Sequence, residues 1–309
     1  MATHPSHRPS LPADVPLAVW PVAQTSAQYQ RAGRYLPACS AHPGKMLPAL
    51  AARIVAEYST PGQLVVDPMA GIGTTVVEAA LLDRRAVGIE LEARWATLAE
   101  ANLDQLLDRR QRRLAEVRVG DAARLPDLLG THTGRVDLVV VSPPYGCDAG
   151  VIDKPGWIAG RRLCPTDSLN YAPNRANVGH VRGPGYSTAM ADIYSACFSV
   201  LRPGGLLVTI TKNTRRRGRC FDLAGTTVAL ARQTGFDYLQ HVVALHASIR
   251  DGQLRARPSF WQLTQLRHAH DRGDPAHLVV HEDVCVFAKP AKSVSSGKLK
   301  DSPPEGVGR

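Results

Sequence analysis

The sequence predicts an α/β fold, a doubly wound and mostly parallel sheet with helices on both faces. Short apolar runs alternate with stretches whose apolar residues recur at helical spacing. One run, Val136–Val141, is apolar except for Asp137, which is typical of a central parallel strand buried on both faces. Other predicted strands end in an acidic side chain, at the position where open α/β sheets bind ligands.

Composition and charge narrow the class of protein. A chain of 309 residues with 44% hydrophobic and 21% charged residues describes a globular protein with one large core or two modest ones. The formal net charge of +10 favours a polyanionic partner, nucleic acid ahead of an anionic membrane. No apolar run reaches the roughly 18 residues of a membrane span, and no apolar segment follows the basic start as in a signal peptide.

Cysteine and histidine spacing gives no sign of a metal site. The six cysteines form no Cys-x-x-Cys pair, so we expect reduced thiols in a cytoplasmic protein. The histidines between 268 and 281 match no ligand pattern, and we predict no metal. The cysteines are Cys39, Cys147, Cys164, Cys197, Cys220 and Cys285.

The two ends of the chain differ in composition from its middle. Residues 1–41 are rich in Pro, His, Ala and Ser, which predicts an irregular arm that packs near Trp20 and Tyr35. Residues 42–289 are predicted to form the folded domain. Residues 290–309, rich in Ser, Lys, Pro and Gly, are predicted to be a disordered tail.

A glycine turn follows the first predicted strand of the domain. A helix between Leu47 and Tyr58 precedes strand 64–67, which delivers the sequence Asp-Pro-Met-Ala-Gly-Ile-Gly-Thr-Thr at 67–75. The two glycines allow a tight turn and close approach of a ligand, and one of the two threonines begins the next helix. A strand, a glycine turn and a helix amino end predict a small-molecule site.

Two further strands end in acids. The strand 86–90 ends at Glu90, which at this position can accept hydrogen bonds from two ribose hydroxyls, or can serve as a helix cap or a solvated acid. The glycine turn beside it favours the ribose role. The strand 117–122 reaches Asp121, which can accept a hydrogen bond from an adenine amino group or cap the following helix, and both roles remain open.

The second half of the domain continues the alternation with basic insertions. Residues 146–187 form a long insertion after Ser142-Pro-Pro-Tyr, and residues 248–281 are predicted to form a second, irregular basic segment. The remaining predicted elements are a helix at 95–106, a helix at 190–201, strand 206–210, the basic run Lys212–Arg219, a helix at 223–233, strand 238–245 and strand 284–288.

Four motifs together resemble one enzyme family. His42-Pro through Lys45, the 67–75 motif, Gly88-Ile-Glu and Ser142-Pro-Pro-Tyr are similar to motifs of the DNA amino-methyltransferases, over roughly residues 42–290. The resemblance implies a Rossmann-like class I methyltransferase sheet. It also implies methyl transfer from S-adenosyl-L-methionine to cytosine N4 or adenine N6. In many relatives the Ser-Pro-Pro-Tyr motif precedes the glycine motif, whereas here it follows.

The resemblance implies a role for each motif. Ser142 Oγ and the Pro143 carbonyl would accept hydrogen bonds from the two N–H groups of the target amine. Pro144 would stiffen the backbone, and Tyr145 would stack on the extruded base. An ordinary proline turn is the alternative. Cys147 is not expected to act as a nucleophile, because no Pro-Cys dipeptide occurs. The implied cofactor-binding residues are Lys45, Asp67, Pro68, Met69, Ala70, Gly71, Gly73, Thr74, Glu90 and Asp121, with Met46 nearby. His42 is expected to be a packing or capping residue outside the catalytic set.

The basic residues of the insertions are the candidates for nucleic-acid binding. Insertions that leave the carboxyl ends of strands flank the ligand site of an open sheet, so their charges are placed to contact phosphates. Solvated basic loops are the alternative. The candidates are Lys154, Arg161, Arg162, Lys212, Arg215, Arg216, Arg217 and Arg219.

These observations leave three functions open. The first is a DNA amino-methyltransferase, with cytosine N4 slightly ahead because serine begins the Ser-Pro-Pro-Tyr motif, and with a restriction nuclease as a candidate partner. The second is a tRNA guanine-N2 methyltransferase, although such enzymes usually show Asp-Pro-Pro-Tyr and carry a separate RNA-binding domain. The third is a nucleic-acid-binding protein of the same fold without catalysis.

Overall fold

The computed structural model describes residues 15–145, 157–158, 161–162, 174, 176–181, 183–216, 219–258 and 260–291. The predictions made for Cys147, Lys154, Cys164, Arg217 and the tail from residue 292 therefore lie outside the described residues. For residues 157–158 and 161–162 the backbone alone is described.

Fourteen strands are present in the described part of the chain, eight of them in one sheet. They are β1 Val19–Trp20, β2 Leu64–Asp67, β3 Arg85–Glu90, β4 Ala115–Val119, β5 Val136–Val141, β6 Trp157–Ile158, β7 Arg161–Arg162, β8 Leu201–Thr211, β9 Thr214–Arg216, β10 Arg219–Phe221, β11 Asp237–Leu245, β12 Ala247–Arg250, β13 Gln253–Ala256 and β14 His281–Ala288. The main sheet has the order β1-β11-β14-β8-β5-β2-β3-β4.

The sheet is parallel except for one strand. Strands β4, β3, β2, β5 and β8 pair in parallel, whereas β14 runs antiparallel between β8 and β11. Successive connections wind outwards in both directions from the β2–β5 pair, which is the switch point of a doubly wound sheet. The structure thus confirms the predicted Rossmann-like α/β fold.

Nine α-helices are described, and the longer ones cover both faces of the sheet. They are α1 Ala27–Arg31, α2 Pro48–Tyr58, α3 Thr74–Leu81, α4 Ala93–Leu106, α5 Arg109–Arg112, α6 Leu125–Leu129, α7 Pro184–Val200, α8 Leu223–Thr234 and α9 Phe260–Asp271.

Alternate residues of the central strands feed two separate cores. Val65 and Leu138 face α2, α3 and α4 in one core, whereas Val66 and Val139 face α6 and α7 in the other. Burial on both faces explains why these strands are nearly continuous apolar runs. Asp137, the exception in β5, accepts a hydrogen bond from the Leu64 backbone N–H (2.9 Å) and forms an ion pair with Arg202.

Residues 15–41 are more ordered than the sequence predicts. They contain β1, α1 and a 3-10 turn at Pro37–Ala41, and β1 joins the sheet edge by pairing in parallel with β11. Trp20 and Tyr35 are buried in the first core, as expected. A strand of two residues carries too little alternation to be recognised from sequence.

The prediction of an irregular segment at 248–281 is wrong. The hairpin β12–β13 and helix α9 lie there, and the hairpin turns at Asp251-Gly252 with φ of 51° and 70°. Two positive φ values characterise a type I′ turn, for which Asp-Gly is a favoured dipeptide. The run Lys212–Arg219 likewise contains part of a hairpin, β9–β10.

Some features are absent from the part of the chain that the structure covers. In the described ranges no helix is both long and apolar enough to cross a membrane. Nor do those residues contain three His, Cys, Asp or Glu side chains grouped to hold a metal ion. The four described cysteines, Cys39, Cys197, Cys220 and Cys285, are free thiols.

Candidate active site

Four polar side chains reach the same edge of the sheet. Val66 of β2 pairs in parallel with Val139 of β5, and Asp67 pairs with Gly88 of β3. On the far side, Glu90 pairs with Val119 of β4. Neighbouring strands lie about 4.8 Å apart, so their carboxyl ends form one continuous edge. The edge is formed by the strand ends that carry Ser142, Asp67, Glu90 and Asp121.

Asp67 is a buried carboxylate at the end of β2. Its Oδ1 accepts a hydrogen bond from the Met69 N–H (2.9 Å), and the Thr75 hydroxyl donates to it as well. Burial nevertheless dominates and raises the pKa of Asp67 to about 6. Burying an ionised carboxylate without a neighbouring cation costs free energy. A positively charged ligand group beside Asp67 would therefore be stabilised there.

This raised pKa makes a prediction about stability. Between the unfolded pKa near 4 and the folded pKa near 6, the folded state binds more protons than the unfolded state, so stability falls as pH rises through this window. Above it, the shift corresponds to a cost of about 2–3 kcal/mol. Asp67→Asn is therefore expected to stabilise the free protein at pH 8 by up to this amount, and by much less at pH 4.5.

Thermal unfolding of both proteins at the two pH values measures the effect. The difference between wild type and variant isolates Asp67 from other titrating groups. A gain in melting temperature that is equal at both pH values would contradict the assigned pKa.

The glycine turn has the backbone that its sequence predicts. Gly71 and Gly73 have φ of 54° and 81°, where a side chain is strained. A Cβ on Gly71 would lie 3.2 Å from Nε2 of His42, and a Cβ on Gly73 would lie 3.0 Å from Cβ of Ala99. The Ala70 N–H donates to the Ile89 carbonyl (2.9 Å), which ties the turn to β3.

The His42 side chain packs against the glycine turn at Gly71. Its ring is buried and packs in a T-shaped arrangement with the Trp95 ring, with the ring centroids 4.7 Å apart. The Arg94 guanidinium lies over the Trp95 ring, 4.3 Å from its centroid. Burial, followed by the nearby Lys45 charge, lowers the pKa of His42 to about 4. His42 is therefore neutral near pH 7 and packs against the glycine turn, which is one of the two roles that the sequence left open.

Glu90 links the glycine turn to β3. Its Oε2 accepts a hydrogen bond from the Gly71 N–H (2.8 Å), and its Oε1 accepts one from the Glu92 N–H (2.9 Å). Burial raises the pKa of Glu90, while these two bonds oppose the shift. A carboxylate has about four lone-pair positions, so each oxygen can accept a further bond, as two ribose hydroxyls would require.

Thr74 and Asp121 complete the groups that can face a ligand. Thr74 Oγ1 is buried at the start of α3 and has no hydrogen-bond partner among the described residues, which marks a place for a ligand polar group. Asp121 caps the 3-10 turn Ala122–Arg124 through Oδ1, which accepts from the Ala123 N–H (2.9 Å). The capping role left open by the sequence is thus present, and the adenine role stays a prediction.

The side chains of Lys45 and Met46 point to different parts of the structure, and only Met46 contacts the glycine motif. The Lys45 ammonium donates to the backbone carbonyls of Ser40 and His42, within its own loop. Met46 reaches towards the glycine motif, where its sulfur lies 3.9 Å from Oγ1 of Thr75. The prediction that Lys45 contacts the cofactor gains no support from these contacts, whereas Met46 lies beside the motif.

The Ser142-Pro-Pro-Tyr motif leaves the end of β5 beside Asp67. Pro143 is buried, whereas Ser142, Pro144 and Tyr145 are half-buried. The Tyr186 hydroxyl, at the start of α7, donates to the Pro144 carbonyl (3.0 Å). A side chain that follows Pro144 by 42 positions in the sequence thus anchors the motif through its backbone carbonyl.

Tyr186 and Asn102 matter to the site and escaped the sequence analysis, and a third residue, Gly88, was named there only as part of the Gly88-Ile-Glu motif. Tyr186 lay within the supposed insertion. Asn102, fully buried on α4, donates to the Ile72 carbonyl (2.9 Å) and accepts from the Leu36 N–H (3.0 Å), so it joins the glycine turn to residues 36–39. Gly88 has no room for a Cβ, which would lie 2.8 Å from that of Ala70. Of these, a polar Asn on an apolar helix face was the one visible signal.

The basic candidates are distributed unevenly. Arg215 and Arg219 are exposed on the β9–β10 hairpin, which follows β8 at the site edge. Lys212 is half-buried, and burial lowers its pKa while Glu282 and Asp283 oppose the shift. The backbone of Arg161, Arg162 and Arg216 lies in short strands, and their side chains lie outside the described residues.

Comparison with known proteins finds matches to parts of this chain. The DNA methylase family (N6_N4_Mtase) matches residues 9–101, which include the 67–75 motif and Gly88-Ile-Glu. A tRNA (guanine(10)-N2)-dimethyltransferase of Methanocaldococcus jannaschii is 34% identical over 109 residues, 34% of this chain and 30% of that protein. The type II methyltransferase M.MthZI of Methanothermobacter thermautotrophicus is 38% identical over 58 residues, 19% of this chain and 16% of that protein.

The chain thus matches less than a third of the length of either relative. Among solved structures, a geranyl diphosphate methyltransferase in complex with GPP and sinefungin is similar, with a TM-score of 0.47 and 11% identity. That match covers 79% of this chain and 77% of the other. The DNA methylase family match over residues 9–101 and the 58-residue similarity to a type II methyltransferase support the resemblance to the N6/N4 DNA methylase family that the motifs indicate.

Proposed function

We propose that this protein transfers a methyl group from S-adenosyl-L-methionine to an exocyclic amine of a base in DNA. The observation that carries the proposal is the shared edge of β2, β3 and β5. It brings the glycine turn and the Glu90 carboxylate next to the Ser142-Pro-Pro-Tyr motif. Methyl transfer needs a donor pocket and an amine pocket in contact, and these adjacent strand ends would supply both.

The residues of the glycine turn fit the cofactor. The Glu90 carboxylate would accept the ribose hydroxyls, and the buried Asp67 would lie near the positively charged methionine part. Among the described residues, Thr74 Oγ1 is a buried polar atom beside the glycine turn without a hydrogen-bond partner. When bound, the cofactor supplies an electrophilic methyl group on a sulfonium.

The amine is oriented by groups at the end of β5. A nucleobase amine is a poor nucleophile, because its lone pair is delocalised into the ring. Ser142 Oγ and the Pro143 carbonyl would accept hydrogen bonds from its two N–H groups, which directs the lone pair towards the methyl group. Tyr145 would stack on the extruded base, and stacking is worth roughly 1–3 kcal/mol per base.

Cytosine N4 is proposed slightly ahead of adenine N6, since a serine begins the motif. DNA is favoured by the family match, and a restriction nuclease as partner is suggested by the similarity to a type II methyltransferase. Guanine N2 in tRNA is the second candidate, because a tRNA methyltransferase matches over 109 residues.

Nucleoside mass spectrometry tests the proposal. Purified protein is incubated with methyl-labelled S-adenosyl-L-methionine and either unmethylated DNA or total tRNA. We expect label in N4-methylcytosine or N6-methyladenine of DNA. Label only in tRNA guanosine would establish the second candidate, and no label in either substrate would refute methyl transfer to both.

Tyr186→Phe tests how the motif is positioned. The variant keeps the ring but loses the hydrogen bond to the Pro144 carbonyl, worth about 0.5–1.5 kcal/mol. We expect kcat for DNA methylation to fall roughly 3–10-fold. Because the groups that hold the cofactor are untouched, its Kd should stay within about twofold of wild type.

Isothermal titration and steady-state kinetics separate these two effects. Tyr29→Phe is the matched control, since Tyr29 is exposed on α1. An equal loss in cofactor affinity and kcat would indicate general loosening of the fold instead of positioning.

A further inference from the structure

A segment that leads into helix α7 contacts both halves of the proposed site. This segment, residues 176–181 and 183–186, is called the strap. Its Asn177 reaches the acids between β3 and α4, and its Tyr186 holds the Ser142-Pro-Pro-Tyr motif. The strap therefore touches the cofactor side and the amine side of the sheet edge at the same time.

The contact on the cofactor side runs through Glu92. Nδ2 of Asn177 donates to Oε1 of Glu92 (3.4 Å), and the Glu92 N–H donates to Oε1 of Glu90 (2.9 Å). All three residues are buried. Glu92 is the N-cap residue of α4, but within the described part of the chain its carboxylate bonds to Asn177 instead of capping the helix. Two hydrogen bonds thus connect the strap to the carboxylate proposed to bind the ribose.

The strap is closely packed between its two contacts. The Asn177 side chain caps the 3-10 turn Val178–His180 through Oδ1, and the first residue of that turn is buried in the second core. A Cβ on Gly185 would lie 3.1 Å from Cγ1 of Val181, so the strap packs tightly on the start of α7, one residue before Tyr186. A shift at Asn177 would therefore reach Tyr186 through atoms in contact.

The hydrogen bond between Asn177 and Glu92 leaves room to tighten. Its length of 3.4 Å is long for an N–H···O hydrogen bond, which usually measures about 2.9–3.0 Å. After burial, the Glu92 charge is a further cause that raises the pKa of Glu90, so the two carboxylates interact directly. Hydrogen bonds from ribose hydroxyls would fix the Glu90 carboxylate and with it the Glu92 backbone, which favours a shorter contact with Asn177.

We propose that Asn177 is a positioning residue through which a bound cofactor orders the strap and, by way of Tyr186, the Pro144 carbonyl. The cofactor and DNA then bind cooperatively, because an occupied cofactor pocket fixes the motif that receives the target base. The inference rests on the proposed DNA methylation and adds the route by which one half of the site prepares the other.

The coupling is measured as the ratio of the Kd for unmethylated duplex DNA without and with saturating S-adenosyl-L-homocysteine. This product of methyl transfer fills the cofactor pocket without turnover. Asn177→Asp keeps the oxygen that caps the 3-10 turn but replaces the donor to Glu92 by an acceptor. Glu92→Gln keeps an acceptor for Asn177. In the double variant the glutamine amide donates to the aspartate, so donor and acceptor are exchanged.

Asn174→Asp is the matched control. Asn174 is exposed shortly before Asn177, and its Oδ1 accepts a hydrogen bond from the Ala176 N–H (3.0 Å). The variant adds the same negative charge close to the strap, keeps this acceptor and leaves the contact with Glu92 in place. It therefore shows how much charge alone weakens DNA binding.

We expect a ratio of at least about five for wild type, Glu92→Gln and Asn174→Asp, and a ratio near one for Asn177→Asp. The double variant should recover a ratio within about twofold of wild type. No coupling in wild type, unchanged coupling in Asn177→Asp, or a loss that the double variant does not restore each overturns the role of the strap while leaving DNA methylation intact.

Failure of the proposed function gives a different result. Wild type that methylates tRNA and not DNA overturns DNA methylation, and the same titration with tRNA then decides the coupling. Melting temperatures identify any variant that does not fold, and the wild-type ratio tests the coupling without a variant.

Discussion

Glu90→Ala is expected to weaken binding of S-adenosyl-L-methionine by about 100-fold or more. The carboxylate would supply acceptors for two ribose hydroxyls, and a hydrogen bond to a charged group is worth about 1.5–3 kcal/mol. The variant also leaves the Gly71 and Glu92 N–H groups without their present acceptor, so the glycine turn loses its tie to β3. Both effects act on the same pocket. Isothermal titration with the cofactor measures the loss directly.

Glu78→Ala is the matched control for this experiment. Glu78 is also a buried carboxylate that accepts two hydrogen bonds, from Arg34 (2.8 Å) and from the Tyr35 hydroxyl (2.9 Å), but it faces residues 15–41. Its removal should lower the melting temperature without a comparable change in cofactor Kd. If both variants lose affinity equally, Glu90 supports the fold and does not bind the ribose.

Glu90→Gln refines the assignment. The carboxamide oxygen can still accept from one of the two N–H groups, but its NH₂ donates and opposes the other. We expect a loss of cofactor affinity between those of wild type and Glu90→Ala.

The parts of the site that could be predicted from sequence are those that depend on the local backbone conformation. The glycine turn needs φ values that favour glycine at Gly71 and Gly73, so its chemistry is visible in the residues themselves. The acid at the end of β3 follows from the strand pattern. Once the parallel order is known, these positions must meet at one edge, and they do.

The contacts that hold the site are long-range and leave no local pattern. Tyr186 reaches the Pro144 carbonyl across 42 positions, and Asn102 joins α4 to Leu36 across 66. Nothing in the flanking residues encodes such a pairing. The β12–β13 hairpin is different, because Asp251-Gly252 is a local turn signal that the basic composition of the segment obscured.

Tyr145→Ala is expected to reduce methyl transfer to DNA by about 100-fold while leaving cofactor Kd within a few-fold. Loss of base stacking accounts for roughly 1–3 kcal/mol, and a misplaced amine adds to it, because methyl transfer needs the lone pair aligned with the methyl group. Tyr145→Phe keeps the ring and should retain most of the activity.

Pro144→Ala should act on the same step by a different route. The proline fixes φ of the residue whose carbonyl Tyr186 holds, so alanine releases the loop that presents Ser142 and the Pro143 carbonyl. We expect a fall in kcat of similar size with little change in cofactor Kd. Single-turnover methylation measures the chemical step in both variants. Full activity in Tyr145→Ala and Pro144→Ala would show that the amine is oriented elsewhere on the sheet edge, because no alignment through this motif survives the loss of either residue.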